Sequence, residues 1–472
     1  MDKRPLLSAG HYSTTGDEKE AADATPAAKE QATVTTRISK YASKKIKGLT
    51  LFGIICVVYT HSYNGYPRIV YADSTYNPAD VSTAFQYMCV GGLLRFAVPM
   101  FFMFSGFLFF IHKPVDMHRF QFGRRIKGRV KSVLAPYLAW NVIAFGLVFL
   151  VLQVGVVAER WPWLKGDILH PGALFPAYKV LYPIPYPLWY LRDLFVLVLM
   201  TPLFYWLDRK NMLQIYIGLV SIPWFLNKWP LVMIADLCGG WLPKLYILDF
   251  DGLLFFPIGA WLSLHRVDID RRLSPRTILL TLVLPFVCAN VAKVVLATYD
   301  YAPFLRVALF KTGTPFGILS VWFMYDFVLV GEQFQQGRFR DAVNFLSQFP
   351  MWIYCTHEPL MGALLENVQP MLGLCRIDNL GVLSGAPMDV QRCTHTAWNG
   401  LFLLFYCIFP IIYIGWLVAI GYALTKVSPT LFSFLTGGRG PKKKKKAGST
   451  PPSENESVEI TGQLQKPATT GV

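Results

Sequence analysis

Among the residues of a very apolar chain whose types can move protons or hold anions, eight stand out by their place in the sequence. Two are histidines, His61 and His357, each toward one end of a long apolar run. Imidazole has an ordinary pKa of about 6.5, so at neutral pH it can take a proton from a hydroxyl and return it to a leaving group. Arg192 and Asp193 are neighbours in Trp189-Tyr190-Leu191-Arg192-Asp193-Leu194, again within an apolar run. Arg124, Arg125, Arg129 and Lys131 crowd a polar stretch just ahead of Ala135-Pro136-Tyr137. Guanidinium forks match phosphate oxygens with paired N–H donors. The chemistry on offer is proton transfer in one place and anion binding in another.

Each group also has a structural role open to it. His61 can hydrogen-bond a neighbouring helix at an interface. His357, followed by Glu358-Pro359, can mark a helix kink. Arg192 and Asp193 point about 100° apart on a helix, so they need not pair with each other and can bind other helices. The basic stretch can set topology and bind anionic lipid. Arg95 and Lys293 can snorkel to headgroups. Ser105-Gly106 suits a close helix crossing, and Asp326 has no evident purpose.

The elements that must position these groups follow from composition. The chain has 472 residues, 53% hydrophobic and 16% charged, with a mean hydropathy of +0.38. A soluble protein could not cover so much apolar surface, so the expected fold is all-α and polytopic in a membrane. Apolar runs at 48–64, 90–111, 133–155, 187–207, 212–228, 246–264, 277–298, 313–331, 343–366 and 397–425 give about ten transmembrane helices. The net charge of +16 does not indicate nucleic acid, because the basic residues sit in tails and short loops between the spans. Their asymmetry puts both termini in the cytosol. The expected organisation is a disordered cytosolic tail over 1–46, a membrane domain over 47–426, and a basic then polar disordered tail over 427–472. The expected location is the endomembrane system or plasma membrane. No cleavable signal peptide is evident, and the eight cysteines have no metal-ligand spacing.

In this orientation His61 lies roughly 20 Å from Lys47 along the first helix, beyond the bilayer midplane. Arg95, Arg192, Asp193 and His357 fall toward the same outer half, while Arg124, Arg125, Arg129 and Lys131 face the cytosol. Ionisable groups collected at one depth point to a hydrated cavity. Cys375 and Cys393 share an outer loop and are expected to form a disulfide. Lys442, Lys443, Lys444, Lys445 and Lys446 are expected to hold the tail to anionic cytosolic lipid.

Five stretches, in order, resemble the membrane-bound acyltransferase 3 family, whose members O-acylate glycans. Val57-Val58-Tyr59-Thr60-His61-Ser62 resembles the first-helix histidine motif. Val98-Pro99-Met100-Phe101-Phe102-Met103-Phe104-Ser105-Gly106-Phe107-Leu108 is similar to the second-helix Phe-Phe-x-x-Ser-Gly signature. Arg125 to Tyr137 resembles the basic approach to the third helix. Trp189-Tyr190-Leu191-Arg192-Asp193-Leu194 is similar to the family's Trp-aromatic-Leu/Ile-Arg-Asp-Leu block, and Ile353-Tyr354-Cys355-Thr356-His357 to its late Ile-Tyr-x-x-His element. The resemblance covers about 48–425. One departure is Thr50, which stands eleven positions before His61 where the family often has a basic residue.

The resemblance implies acyl transfer from an acyl-CoA, most simply acetyl-CoA, to a hydroxyl of a glycan or related acceptor on the outer side. It makes His61 the general base or a transient acyl carrier. His357, Arg192 and Asp193 would orient the partners and stabilise the oxyanion, and Arg124, Arg125, Arg129 and Lys131 would hold the CoA phosphates. No tightly bound cofactor is expected. Two other classes stay open: a secondary transporter, which would also carry midplane charges, and a non-enzymatic receptor or scaffold.

Overall fold

The computed structural model describes residues 39–62, 81–111, 121–152, 181–226, 230–238, 247–299, 301–328, 337–358, 360–362, 364–365 and 399–439. Cys375, Cys393 and the lysines at 442–446 lie outside them. All regular structure among the described residues is helical. In chain order the helices are α1 (Lys40–His61), α2 (Val81–Met88), α3 (Ala97–Phe110), α4 (Phe122–Arg129), α5 (Ala135–Leu152), α6 (Trp189–Leu199), α7 (Thr201–Arg209), α8 (Leu213–Phe225) and α9 (Pro230–Leu237). They continue with α10 (Phe250–Leu264), α11 (Pro275–Ile278), α12 (Leu284–Thr298), α13 (Pro303–Val328), α14 (Arg338–Leu346), α15 (Pro350–Thr356), α16 (Asn399–Val427) and α17 (Pro429–Leu435). Wide π-helical turns, Cys89–Leu93, Val130–Leu134 and Leu279–Val283, lead into α3, α5 and α12.

Five of the resulting helical stretches among the described residues are long and apolar enough to cross a bilayer. A sixth is added if Tyr186–Leu199 and Thr201–Arg209, bent by 47° to each other, form one broken span. The helices α8 and α10 are apolar but shorter. A chain with this many such helices is a multi-pass membrane protein. Among the described residues, α1 starts at Lys40, ahead of position 47, and α17 lies beyond 426.

Local sequence explains how several helices start. Ser39 caps α1, its hydroxyl accepting from the Ala42 N–H at 2.9 Å. Asp249 caps α10 by accepting from the Asp251 N–H at 3.1 Å. Ser274 caps α11 with Pro275 in the first turn, where a missing N–H does no harm.

The centre of the bundle is the crossing of α3 and α10. A Cβ on Gly106 would lie 2.0 Å from the Phe256 carbonyl oxygen, and one on Gly259 would lie 1.9 Å from that of Met103. The two backbones touch directly, which only glycine permits. Gly259→Leu is therefore expected to force the helices apart and destabilise the protein by about 1–3 kcal/mol or more. The check is thermal unfolding of the purified protein in detergent; an unchanged melting temperature would mean that the crossing bears no load.

The first helix is fixed by a buried ion pair. Lys45 Nζ lies 2.8 Å from Asp326 Oδ1 on α13, and the Tyr41 hydroxyl donates to the same oxygen. Asp326 thus has a structural purpose. Lys293 does not snorkel. It is 2% exposed, donates to the Gly91 carbonyl and lies over the Tyr87 and Phe310 rings at 4.8 and 4.9 Å. The bare backbone of the Gly91-Gly92 turn gives it a partner inside the bundle.

Candidate active site

The last turn of α1 and the end of α15 meet, and each brings a histidine. The rings of His61 and His357 stand 5.2 Å apart, centroid to centroid, and are tilted by 55°. They are separated by most of the chain, and only the packing of α15 against α1 joins them. His61 is half-buried and His357 fully buried.

The hydrogen bonds of His357 fix its tautomer. Its Nδ1 lies 2.8 Å from the Tyr354 carbonyl oxygen and 3.2 Å from that of Ile353. Both neighbours are acceptors, so Nδ1 carries the proton and Nε2 presents a lone pair. Among the described residues, His357 Nε2 is buried with no hydrogen-bond partner. A buried, unpaired acceptor is unfavourable unless a hydroxyl or a water reaches it. The backbone that presents this ring is itself tied down, since the Tyr413 hydroxyl on α16 donates to the His357 carbonyl at 3.0 Å.

A row of aromatic rings leads away from the histidines. The rings of Tyr354 and His357 are 6.1 Å apart, and those of Tyr190 and Tyr354 are 5.9 Å apart. The Tyr190 hydroxyl lies 3.3 Å from Ser105 Oγ, beside the glycine crossing of α3. Past Tyr190 stand the basic residues of α4: Arg129 is within electrostatic reach of the Tyr190 hydroxyl. Arg125 is half-buried and donates to the Phe109 carbonyl at the end of α3. Arg124 and Lys131 are exposed.

Arg192 and Asp193 do pair with each other, Nε to Oδ1 at 2.8 Å. Their backbone directions differ by about 100°, but the long arginine side chain curls back far enough to reach its neighbour. Arg192 Nη1 also donates to the Leu181 carbonyl, and Asp193 Oδ2 accepts from the Asp249 N–H at 2.9 Å. The Asn141 side chain accepts from the Ile184 N–H at 3.2 Å, and the Tyr354 hydroxyl donates to the Pro187 carbonyl. These bonds hold the stiff segment Pro183-Ile184-Pro185-Tyr186-Pro187 against the bundle and fix the start of α6 and of α10. Both charges are engaged with each other and with backbone.

Residues 44–370 match the acyltransferase 3 family, described as an acyltransferase domain, over more than half of the chain. The chain belongs to this family. The match contains both histidines, the Arg192–Asp193 pair and the basic residues of α4. The chain is also 26% identical over 360 residues to the succinoglycan biosynthesis protein ExoH of Rhizobium meliloti (strain 1021), covering 74% of this chain and 80% of that protein. No solved structure matches.

For an acyltransferase, the arrangement offers two working ends joined by a row of packed aromatic rings: an imidazole pair with an available lone pair, and a set of guanidiniums. The sequence motifs contain the connecting residues Tyr190 and Tyr354, but the row they form away from His357 appears only in three dimensions. Arg439, beyond the matched region, was not singled out by sequence. It belongs to the basic end as well, with Nη1 3.1 Å from Met351 Sδ.

Proposed function

We propose that this membrane acyltransferase moves an acyl group, most simply acetyl, from an acyl-CoA bound at the basic end to a hydroxyl of a glycan that reaches the histidine pair. The observation that carries the reading is the unpartnered Nε2 of buried His357 beside the His61 ring. The acceptor hydroxyl oxygen attacks the thioester carbonyl, and its proton passes to an imidazole nitrogen. The C–S bond breaks, and the proton then goes to the departing thiolate. His61, with the more accessible ring, faces the acceptor, and His357 shares the proton load. Arg192 and Asp193 serve by positioning, because their bonds hold the segment that precedes Tyr190. The half-buried arms of Arg125 and Arg129 hold the donor's phosphates, and the exposed Arg124 and Lys131 add positive charge at the rim of the same site. The glycan reading agrees with the name of the succinoglycan biosynthesis relative.

The same proposal carries the finer topology: about ten spans, both termini cytosolic, the basic end facing the cytosol and the histidines toward the outer or lumenal half. Donor and acceptor then approach from opposite sides.

Radiolabelled acetyl-CoA with purified protein and a panel of glycan acceptors tests the reaction. Transfer of label to a glycan, with thermal stabilisation of the protein by acetyl-CoA, is expected. A protein that ignores acetyl-CoA in both measurements would fit a transporter or scaffold instead.

A further inference from the structure

The chain beyond the family match ends its described part in a turn built for one outcome. Helix α17 stops at Thr436 and is followed by Gly437 and Gly438, with φ of +64° and +79°. The Gly438 N–H donates to the Ser433 carbonyl at 2.7 Å and the Gly437 N–H to that of Phe434 at 3.1 Å. This is the glycine-dependent helix stop in which two left-handed positions reverse the chain.

The turn does not project freely. A Cβ on Gly437 would lie 2.4 Å from the Ser132 carbonyl oxygen, so its backbone rests directly on the π-helical turn after α4. Trp140 Nε1 donates to the Leu435 carbonyl at 3.0 Å and ties α17 to α5. The next residue after the two glycines is Arg439. The seat of Gly437 on Ser132 brings Arg439 within electrostatic reach of Arg129, and the two guanidiniums repel each other. Met351, Cys355 and Tyr190 complete its surroundings.

Among the described residues, no carboxylate forms an ion pair with Arg129 or Arg439. Arg129 is half-buried and Arg439 exposed, so both can be reached by a ligand. Like charges brought together by a dedicated backbone turn, with no acid between them, form an anion-binding arrangement.

We propose that Arg439 is a third guanidinium of the site formed with Arg125 and Arg129, and that it binds a phosphate group there. This rests on the donor reading above if the phosphate belongs to acyl-CoA; an anionic lipid headgroup offers the same chemistry. The C-terminal segment is then part of the substrate site and not only a tail.

Binding of coenzyme A to the full chain in lipid-free detergent separates these cases, with Arg439→Ala, Arg439→Lys and unliganded melting as controls. The expected result is about a tenfold or greater loss of affinity in Arg439→Ala. Partial rescue by Arg439→Lys, unchanged unliganded melting and a raised KM with little change in kcat are expected alongside it. If the parent protein binds coenzyme A and Arg439→Ala binds it equally well, the inference falls and the donor reading stands. If the parent protein does not bind coenzyme A, the donor reading falls. The same variants are then compared in phosphatidylglycerol and phosphatidylcholine nanodiscs. Loss of phosphatidylglycerol stabilisation in Arg439→Ala would support a lipid phosphate site, and no difference would overturn the inference.

Discussion

His61→Ala and His357→Asn should each lower kcat by at least about 10²-fold, the contribution typical of a positioned general base. The asparagine retains a donor near the position of Nδ1, which can still bond the Tyr354 carbonyl, but has no counterpart of Nε2. It therefore removes the available lone pair while sparing the bond that holds the end of α15. The sequence reading, which treats His357 as an orienting residue, expects a milder loss there. The geometry raises the expectation, because the two rings are 5.2 Å apart and Nε2 of His357 is unpartnered among the described residues. Residues that act as a unit give non-additive losses, so the double variant should be little worse than the more damaging single one. Turnover is measured with acetyl-CoA and the best acceptor on protein shown to be folded by chromatography and melting. Near-normal turnover in folded His61→Ala would move the base to His357 alone. Losses that multiply in the double variant would show that the histidines act in separate steps.

That the chain is helical and crosses a membrane several times was legible because the causes are local, although five or six of the expected ten spans are long and apolar enough among the described residues. Long apolar runs with basic residues between them can only be membrane helices, and the capping serines and interior glycines stand in the sequence beside what they stabilise. The candidate histidines were legible for the same reason: an imidazole in an apolar run stands out. Their gathering at one depth was expected from the spans, but the direct ring-to-ring approach was not, because nothing in the residues around His61 says that α15 packs against α1. The Lys45–Asp326 pair was missed for a similar reason, its partners being 281 positions apart. Arg192 and Asp193 were left open by the sequence, which said only that they need not pair with each other. A helical wheel gives the directions of Cβ atoms and says little about where a long flexible side chain ends. Lys293 was read from its place in an apolar span, which ignores that the buried Gly91 carbonyl offers it a partner inside the bundle. Arg439 stands in a stretch whose polarity suggests a solvated tail. Only the glycine stop after α17 and its seat on Ser132 reveal that Arg439 is held beside α4.

Arg125→Ala combined with Arg129→Ala should raise the KM for acyl-CoA by about 10²-fold while lowering kcat much less. A hydrogen bond to a charged group contributes about 1.5–3 kcal/mol, and each arginine offers at least one to a phosphate. These contacts lie at the opposite end of the aromatic row from the histidines, so they act alike on the bound donor and on the transition state. Uniform binding of that kind appears in KM and not in kcat. The two arginines differ in their present engagements: Arg125 already donates to the Phe109 carbonyl, whereas Arg129 faces another guanidinium with no acid between them. The larger single effect is therefore expected from Arg129→Ala. Arg124 and Lys131 are exposed, and their alanine variants should change KM only slightly, because a charge held in water contributes little. Steady-state kinetics in detergent, with donor varied at saturating acceptor, gives the split. An unchanged KM in folded double variant would return the basic stretch to anionic-lipid contact and topology, for which the matching readout is its insertion and its affinity for anionic vesicles.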